Sequence, residues 1–545
     1  MSPGKRVQIS DAISLLHLRH RCRAGGAIGY CRAKSWALPL RAAGLVAAAV
    51  GFAAPGAAQD TTVGAAASPP PASTVDVAWV EQTVEPWFRE TSRRIRGDWG
   101  IAIADQNGRL IWGQNPETPM VPASTVKVFT TGFARSVLGT SARRPTRVIG
   151  SGSVDPATGE WVGSWGLELN GDPSLERQSG DGPTLYDLAI QLASAGIRRL
   201  SGPLHVQSAE GDADAVYPVA WSPRHRGRTF APLIGPLTLH ENVVWVTVEP
   251  GRKTGARPRV VGAAPDGIAS LITVRASTVA GRRSRLALQP RSDGGWTLTG
   301  SIGRRARLRT VGAPMRDPKA VLSATWARAL QRAGIEWNAR VQPGVPPVAA
   351  PPRVLAEVSS PPLDSLASEV NRRSLNYGAE LLLQWAGGRE AGAERLAAHV
   401  LDVTGTAPGL ALVDGSGLSF DNRVAPSTFV SYLAKYPLTA AGRNFPQLLP
   451  PNGSGTLRRL GTGFPASGVV RAKTGTLGNT ASVVGYLGRP EGTLIVALIY
   501  NGPRQPAARQ AQWRLFRLLG ADGVIIPNDS IPEALEPALG GEEQQ

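Results

Sequence analysis

Ser124-Thr125-Val126-Lys127 pairs a hydroxyl with an amine three residues away, a spacing that could support covalent catalysis. Serine is a poor nucleophile until a base takes its proton. A lysine amine serves as that base once burial and a nearby cation lower its pKa. Residues three apart on a helix share a face, so the two side chains can meet. A serine at the helix start also sits beside the positive end of the macrodipole, where an oxyanion would develop. Lysine usage sharpens the signal. The chain has seven lysines, and from residue 59 onward only Lys127, Lys253, Lys319, Lys435 and Lys473. Arginine supplies the charge elsewhere, and arginine cannot give up its proton. Of these five lysines, only Lys127 has a serine three residues before it. The plain alternative is a surface lysine on an ordinary helix.

Two further motifs carry polar groups of the right kind. Ser374-Leu375-Asn376 lies between two helical segments, on a predicted loop. Its hydroxyl could relay a proton and its amide could hold a peptide carbonyl; the competing reading is a helix cap. Lys473-Thr474-Gly475-Thr476 precedes an apolar strand. The lysine and threonines present donors to a carboxylate, and Gly475 lets a substrate backbone approach. A second Lys-Thr-Gly, Lys253-Thr254-Gly255, sits in an Arg/Pro-rich stretch ahead of Ser374 and reads as a solvated turn. The segment DGSGLS (414–419) reads as a structural turn near the site.

These motifs need elements to position them. Residues 77–94 have helical periodicity. GIAIAD and RLIWGQ flank Asn107-Gly108, a hairpin signal. Pro122-Ala123-Ser124 opens an apolar helix. From 147 to 353 short strands alternate with Gly/Pro/Arg turns, interrupted by helices at Leu185–Ala195 and Ala320–Ala333. Helices return from 354, then two strand-like runs, VVGYLG and TLIVALIYNG, and a last helix near Arg504–Leu519. The pattern predicts an α/β domain, residues 77–146 and 354–525, split by a mostly β insertion, 147–353. The acidic end, 526–545, reads as a tail.

Composition is that of a globular protein, 42% hydrophobic and 18% charged, with no fixed-period repeat. The net charge is +18. Residues 1–58 hold eight basic side chains against Asp11 alone, which leaves +11 for the rest. The basic residues are scattered without a stacking motif, so the reading is no nucleic-acid partner. A basic surface suits peripheral association with an anionic wall or membrane. The apolar run Ala42–Ala54 is too short to span a bilayer. With Arg32, Lys34 and Arg41 before it and Gly56-Ala57-Ala58 after it, the run predicts a secretion signal, 1–58, either cleaved or kept as an anchor. The region ahead of it is long enough to suggest a start site placed too early. Residues 59–76 read as an Ala/Ser/Pro linker. Both cysteines, Cys22 and Cys31, fall in the leader, leaving no thiol chemistry for the remainder.

Taken in order, the motifs resemble the penicillin-recognising serine enzymes, which include penicillin-binding proteins and serine β-lactamases. Ser124 to Ser374 spans 250 residues and Ser374 to Lys473 spans 99. The long first gap resembles the low-molecular-mass class C penicillin-binding proteins, the D-alanyl-D-alanine carboxypeptidase/endopeptidase family. GDPSL (171–175), GPLTLHEN (235–242), GTLRRL (455–460) and RAKTGTLGNTASVVGYL (471–487) extend the likeness over about residues 77–520.

The resemblance implies a transpeptidase-like fold, an antiparallel sheet flanked by helices. It implies an extracytoplasmic enzyme acting on peptidoglycan peptides ending in D-Ala-D-Ala or cross-linked, and acylated by β-lactams. Ser124 would attack the penultimate D-Ala carbonyl, with Lys127 as its base. Ser374, with Asn376 and Lys127, would pass a proton to the leaving amine, and Asn376 would also hold the peptide. Lys473, Thr474, Gly475 and Thr476 would bind the substrate, with the terminal carboxylate on Lys473 and the two threonines. The amides of Ser124 and Thr476 would form the oxyanion hole. No metal, cofactor or histidine is implied, and His205, His225, His240 and His399 read as structural. One departure concerns the insertion, where many relatives carry an acid for the amine of the third-position residue. Here Val206-Gln207-Ser208 has none, although Glu210, Asp212 and Asp214 lie nearby. A β-lactamase or esterase on the same site, and an inactive wall-binding scaffold, remain the rival readings.

Overall fold

The computed structural model describes residues 75–177, 181–340 and 352–527. The expected leader and its two cysteines, and all but the last two residues of the linker and the first two of the tail, lie outside the described residues. No helix among the described residues is long and apolar enough to cross a membrane.

Helix α1 (Val77–Arg94) starts on Asp76, whose carboxylate accepts from the Trp79 amide at 3.1 Å. That bond satisfies one of the unpaired donors at a helix start. Strands β1 (Asp98–Ala104) and β2 (Leu110–Gln114) form the expected hairpin. Asp105 closes the turn by accepting from the Asn107 and Arg109 amides, each at 2.9 Å. Helix α2 (Lys127–Leu138) follows. After a long excursion come α3 (Leu363–Arg373), α4 (Asn376–Gly387), α5 (Gly392–Thr404) and α6 (Pro426–Lys435). Strands β3 (Val470–Leu477), β4 (Thr480–Arg489) and β5 (Gly492–Asn501) and helix α7 (Gln505–Leu519) complete this body.

The five strands make one antiparallel sheet in the order β3-β4-β5-β1-β2, so the two ends of the chain share a sheet. Every residue of β4 is buried, because helices cover both faces. Val484, Tyr486 and Ile499 pack on one side with Phe129, Leu382 and Phe429. Val483 and Leu498 pack on the other with Val84, Trp87, Trp513 and Phe516. Each such side chain contributes about 1.5–3 kcal/mol on burial, which makes the sheet a rigid frame for the polar groups at its edge.

The excursion begins with strand Pro145–Val154 and ends with strand Arg353–Ser359, which pair antiparallel from Pro145↔Ser359 onward. The chain therefore leaves and re-enters side by side. Among the described residues, three further small sheets and two α-helices lie between them, the helices Leu185–Ser194 and Pro318–Arg332 within two residues of the predicted bounds. This region has its own core, including Trp161, Trp165, Trp296 and Trp326. A small cluster of Ala123, Trp221, Ile234, Tyr377, Leu418 and Leu477 joins it to the sheet beside Ser124.

Candidate active site

The sequence predicts a helix opening at Pro122. Instead, Ala123–Val126 forms a 3-10 turn and the α-helix proper begins at Lys127. In a 3-10 turn side chains at i and i+3 eclipse, which lines Ser124 up with Lys127. Their Oγ and Nζ are 3.1 Å apart. The turn is held by two adjacent strands of the sheet, β4 and β5. Asn501 bonds Val121 through both amide atoms, at 2.9 and 3.2 Å. The Pro122 carbonyl accepts from Thr125 Oγ1 at 2.7 Å and Ser482 Oγ at 2.5 Å. Ala123 has φ 52, an uncommon conformation for a residue with a side chain. Gly475 permits close approach: a Cβ there would lie 2.7 Å from the Pro122 carbonyl oxygen and 3.0 Å from the Ser124 nitrogen.

Lys127 is fully buried. Its amine reaches Ser124 Oγ, Asn376 Oδ1 at 2.7 Å and the Ser416 carbonyl at 2.5 Å. Burial pushes its pKa from 10.5 down to about 7, against the pull of Asp414 and Glu380. A neutral amine has two hydrogens and one lone pair. In the neutral form, Asn376 Oδ1 and the Ser416 carbonyl can take both hydrogens, which leaves the lone pair for the Ser124 proton. Glu380 accepts from the Ser416 amide at 2.9 Å, and Asp414 from the Gly417 and Ser419 amides at 2.7 and 2.6 Å. Burial and Asp414 hold Glu380 above the usual carboxylate range. The two carboxylates thus fold DGSGLS so that the Ser416 carbonyl faces Lys127. That segment, expected only to shape a turn, supplies a direct partner to the amine.

Ser374 ends α3 in the left-handed region, φ 60 and ψ 45, and Asn376 begins α4. The Ser374 Oγ accepts from Lys473 Nζ at 2.9 Å. Lys473 is fully buried and its pKa lies well below 10.5, through burial and then the charges of Lys127 and Arg509. The insertion braces this corner. The Phe230 carbonyl accepts from Asn376 Nδ2 at 2.9 Å, and Glu241 pairs with Arg373 at 2.8 Å.

Strand alternation sends the Thr474 and Thr476 side chains to the face opposite Lys473 and Gly475. There Arg509, on α7, donates to the Gly475 carbonyl, to Thr476 Oγ1 at 3.3 Å and to the Ser482 carbonyl at 2.8 Å. Sequence reasoning passed over Ser416, Arg509, Phe230 and Glu241. Ser416 lies in the segment read as a turn and Glu241 in one that carried the family resemblance, whereas nothing in the sequence marks the other two.

Val206-Gln207-Ser208 lies on a short strand of the insertion. Asp214 is ion-paired to Arg389, while Glu210 and Ser208 border a small cavity with Arg144 and Arg389. His240 Nδ1 contacts the Val243 carbonyl at 2.7 Å and His399 Nε2 the Tyr432 hydroxyl at 2.9 Å. His225 stands between the rings of Phe230 and Phe420, and His205 is exposed on a strand edge.

An antiparallel sheet with an all-helical face, a serine–lysine turn beneath it and a large insertion before the next motif define the penicillin-binding protein/serine β-lactamase-like fold class. Consistent with that class, the crystal structure of penicillin binding protein 4 (dacB) from Haemophilus influenzae superposes with a TM-score of 0.64 at 21% identity, covering 82% of this chain and 98% of that one. The sequence profile of the D-Ala-D-Ala carboxypeptidase 3 (S13) family matches residues 89–519, and the chain belongs to that family. It is 28% identical over 435 residues to a D-alanyl-D-alanine carboxypeptidase of Actinomadura sp. (strain R39), covering 76% of this chain and 79% of that protein. It is 27% identical over 433 residues to a carboxypeptidase of Mycobacterium tuberculosis, covering 74% and 76%. The protein is a serine-type D-Ala-D-Ala carboxypeptidase.

Proposed function

We propose that this carboxypeptidase works through an acyl-enzyme on Ser124, with Lys127 as the base. The observation that carries the proposal is the buried Lys127 amine, its pKa pushed down to about 7, bonded to Asn376 Oδ1 and the Ser416 carbonyl and 3.1 Å from Ser124 Oγ. Ser124 attacks the carbonyl of the penultimate D-Ala, and its proton passes to Lys127. The oxyanion forms between the amides of Ser124 and Thr476, where Gly475 leaves room for it; such donors are worth about 10²–10³ in rate. Ser374, bonded to Lys473, relays a proton from Lys127 to the departing amine. Asn376 holds the substrate peptide. The terminal carboxylate rests at the free edge of β3, on Thr474 and Thr476 beside the Arg509 guanidinium, with Lys473 adjacent on the same strand. Water then hydrolyses the ester.

The substrates are peptidoglycan peptides ending in D-Ala-D-Ala or cross-linked through D-Ala, and β-lactams acylate the same serine. Such substrates place the working enzyme outside the cytoplasm. Residues 77–146 and 354–525 form the catalytic domain and 147–353 the insertion. The sheet shared by both chain ends and the separate tryptophan-rich core support that division.

The test is mass spectrometry after incubation with benzylpenicillin. A covalent adduct on Ser124, absent in Ser124→Ala, is the expected result. No adduct at saturating drug would favour an inactive scaffold, and rapid turnover without a lasting adduct a β-lactamase.

A further inference from the structure

The free edge of β3 opens onto a cleft of about 460 Å³ that includes Thr474 and Thr476 in its wall. Across from them stand Thr456, Arg458 and Arg459, with Arg509 between the two sides. No carboxylate lines this space. Among the described residues, Arg458, Arg459 and Arg509 pair with no acid, whereas Arg514, one turn further along α7, is ion-paired to Glu90. The Thr456 hydroxyl is buried and has no hydrogen-bond partner. The wall is also tied to the catalytic corner. The turn Gly455–Leu460 presses so close to α3 that a Cβ on Gly455 would strike the Arg372 carbonyl, two residues before Ser374. Its far end is held by Arg517, which donates to the Arg459 and Thr462 carbonyls at 3.1 and 2.9 Å.

We propose that this cleft is a subsite for a second carboxylate on the leaving side of the scissile bond, held by Arg458, Arg459 and the Thr456 hydroxyl. The assignment rests on the reading above, in which Thr474 and Thr476 hold the α-carboxylate of the leaving residue. With that group at the strand edge, the side chain of the leaving residue points into the cleft. A leaving D-Ala offers only a methyl group and leaves the arginines unused. A leaving residue whose side chain ends in a carboxylate, as when the bond cut joins two acidic peptides, brings the charge that the cleft lacks. The subsite thus favours a leaving residue with a distal carboxylate over D-Ala, by electrostatic complementarity without any change in the chemical step.

The probe is an acyl-D-Ala-D-α-aminopimelate peptide, compared with the same peptide amidated at its distal carboxyl. The wild-type enzyme is expected to cleave the free acid with kcat/KM about tenfold above the amide, the size of one charge-assisted hydrogen bond. In R458A/R459A that ratio falls to about one, and in R458K/R459K much of it returns. Equal rates on acid and amide in the wild type, or an undiminished ratio in R458A/R459A, would overturn the subsite. Benzylpenicillin labelling of Ser124 is run on the same preparations. A wild type that is not labelled overturns the acyl-enzyme reading itself, while normal labelling with no acid preference overturns the subsite alone.

Discussion

The chain contains the tripeptide Lys-Thr-Gly twice, and the two copies have opposite surroundings. Lys253-Thr254-Gly255 lies exposed between the insertion strands Val243–Glu249 and Arg259–Ala264. Nothing lies within 4 Å of where a Cβ on Gly255 would be. Lys473-Thr474-Gly475 lies on the edge strand of the main sheet, where Lys473 is fully buried against Ser374 and Gly475 abuts the Ser124 backbone. One composition therefore gives a solvated turn in one place and a desolvated charge cluster in the other. A lysine becomes useful in chemistry when its surroundings remove water and supply partners, and the tripeptide supplies neither.

The largest effect is expected at Lys127, whose charge bears on the buried lysine of the second copy. Lys127→Arg keeps the charge but removes the base, and acylation by benzylpenicillin should slow by about 10²–10⁴. Near-normal acylation of that variant, followed by stopped flow, would remove Lys127 from the proposed role. The glycines of the two copies should diverge almost as far. Gly475→Ala places a methyl against the Pro122 carbonyl and the Ser124 amide, displacing an oxyanion donor, for a loss of about 10²–10³ in acylation rate.

A pH profile gives a smaller effect with a defined sign. Lys127 must be neutral to accept a proton, and its pKa sits at about 7. The acylation rate should therefore rise with pH, about tenfold from pH 6 to pH 8, and then level off. A rate already flat across that range would mean that a different group limits the step. The smallest effects belong to the exposed copy. Lys253→Ala should leave acylation unchanged and shift stability by no more than about 0.5 kcal/mol. Gly255→Ala, at φ 86, should cost about 1–2 kcal/mol of stability, read by thermal unfolding, and again no activity. A loss of acylation in either variant would abolish the distinction between the two copies.

Local signals were enough for several elements. The hairpin at Asn107-Gly108 follows from turn chemistry that Asp105 completes within four residues. The helices at 185–194 and 318–332 were placed to within two residues, and in the structure Thr184 and Asp317 cap them locally. The start of α2 was misjudged because its 3-10 turn is imposed by partners hundreds of residues away, Ser482 and Asn501. Ser416 read as part of a turn because its carbonyl, like every carbonyl, has no letter of its own in a sequence. Arg509 is one of many arginines until the packing of α7 lays it against β3.

The order of the three motifs, the 250-residue gap between the first two and the scarcity of lysine were available from the amino acids alone, and together they pointed to a serine–lysine peptidase. How deeply Lys127 is buried, which groups surround each Lys-Thr-Gly, and what lies beyond the strand edge were decided only by the folded chain. The reason is that a pKa, a close approach and a charged cleft depend on which groups share a volume from which water is excluded. That volume is assembled here from residues near positions 124, 374, 415, 473 and 509.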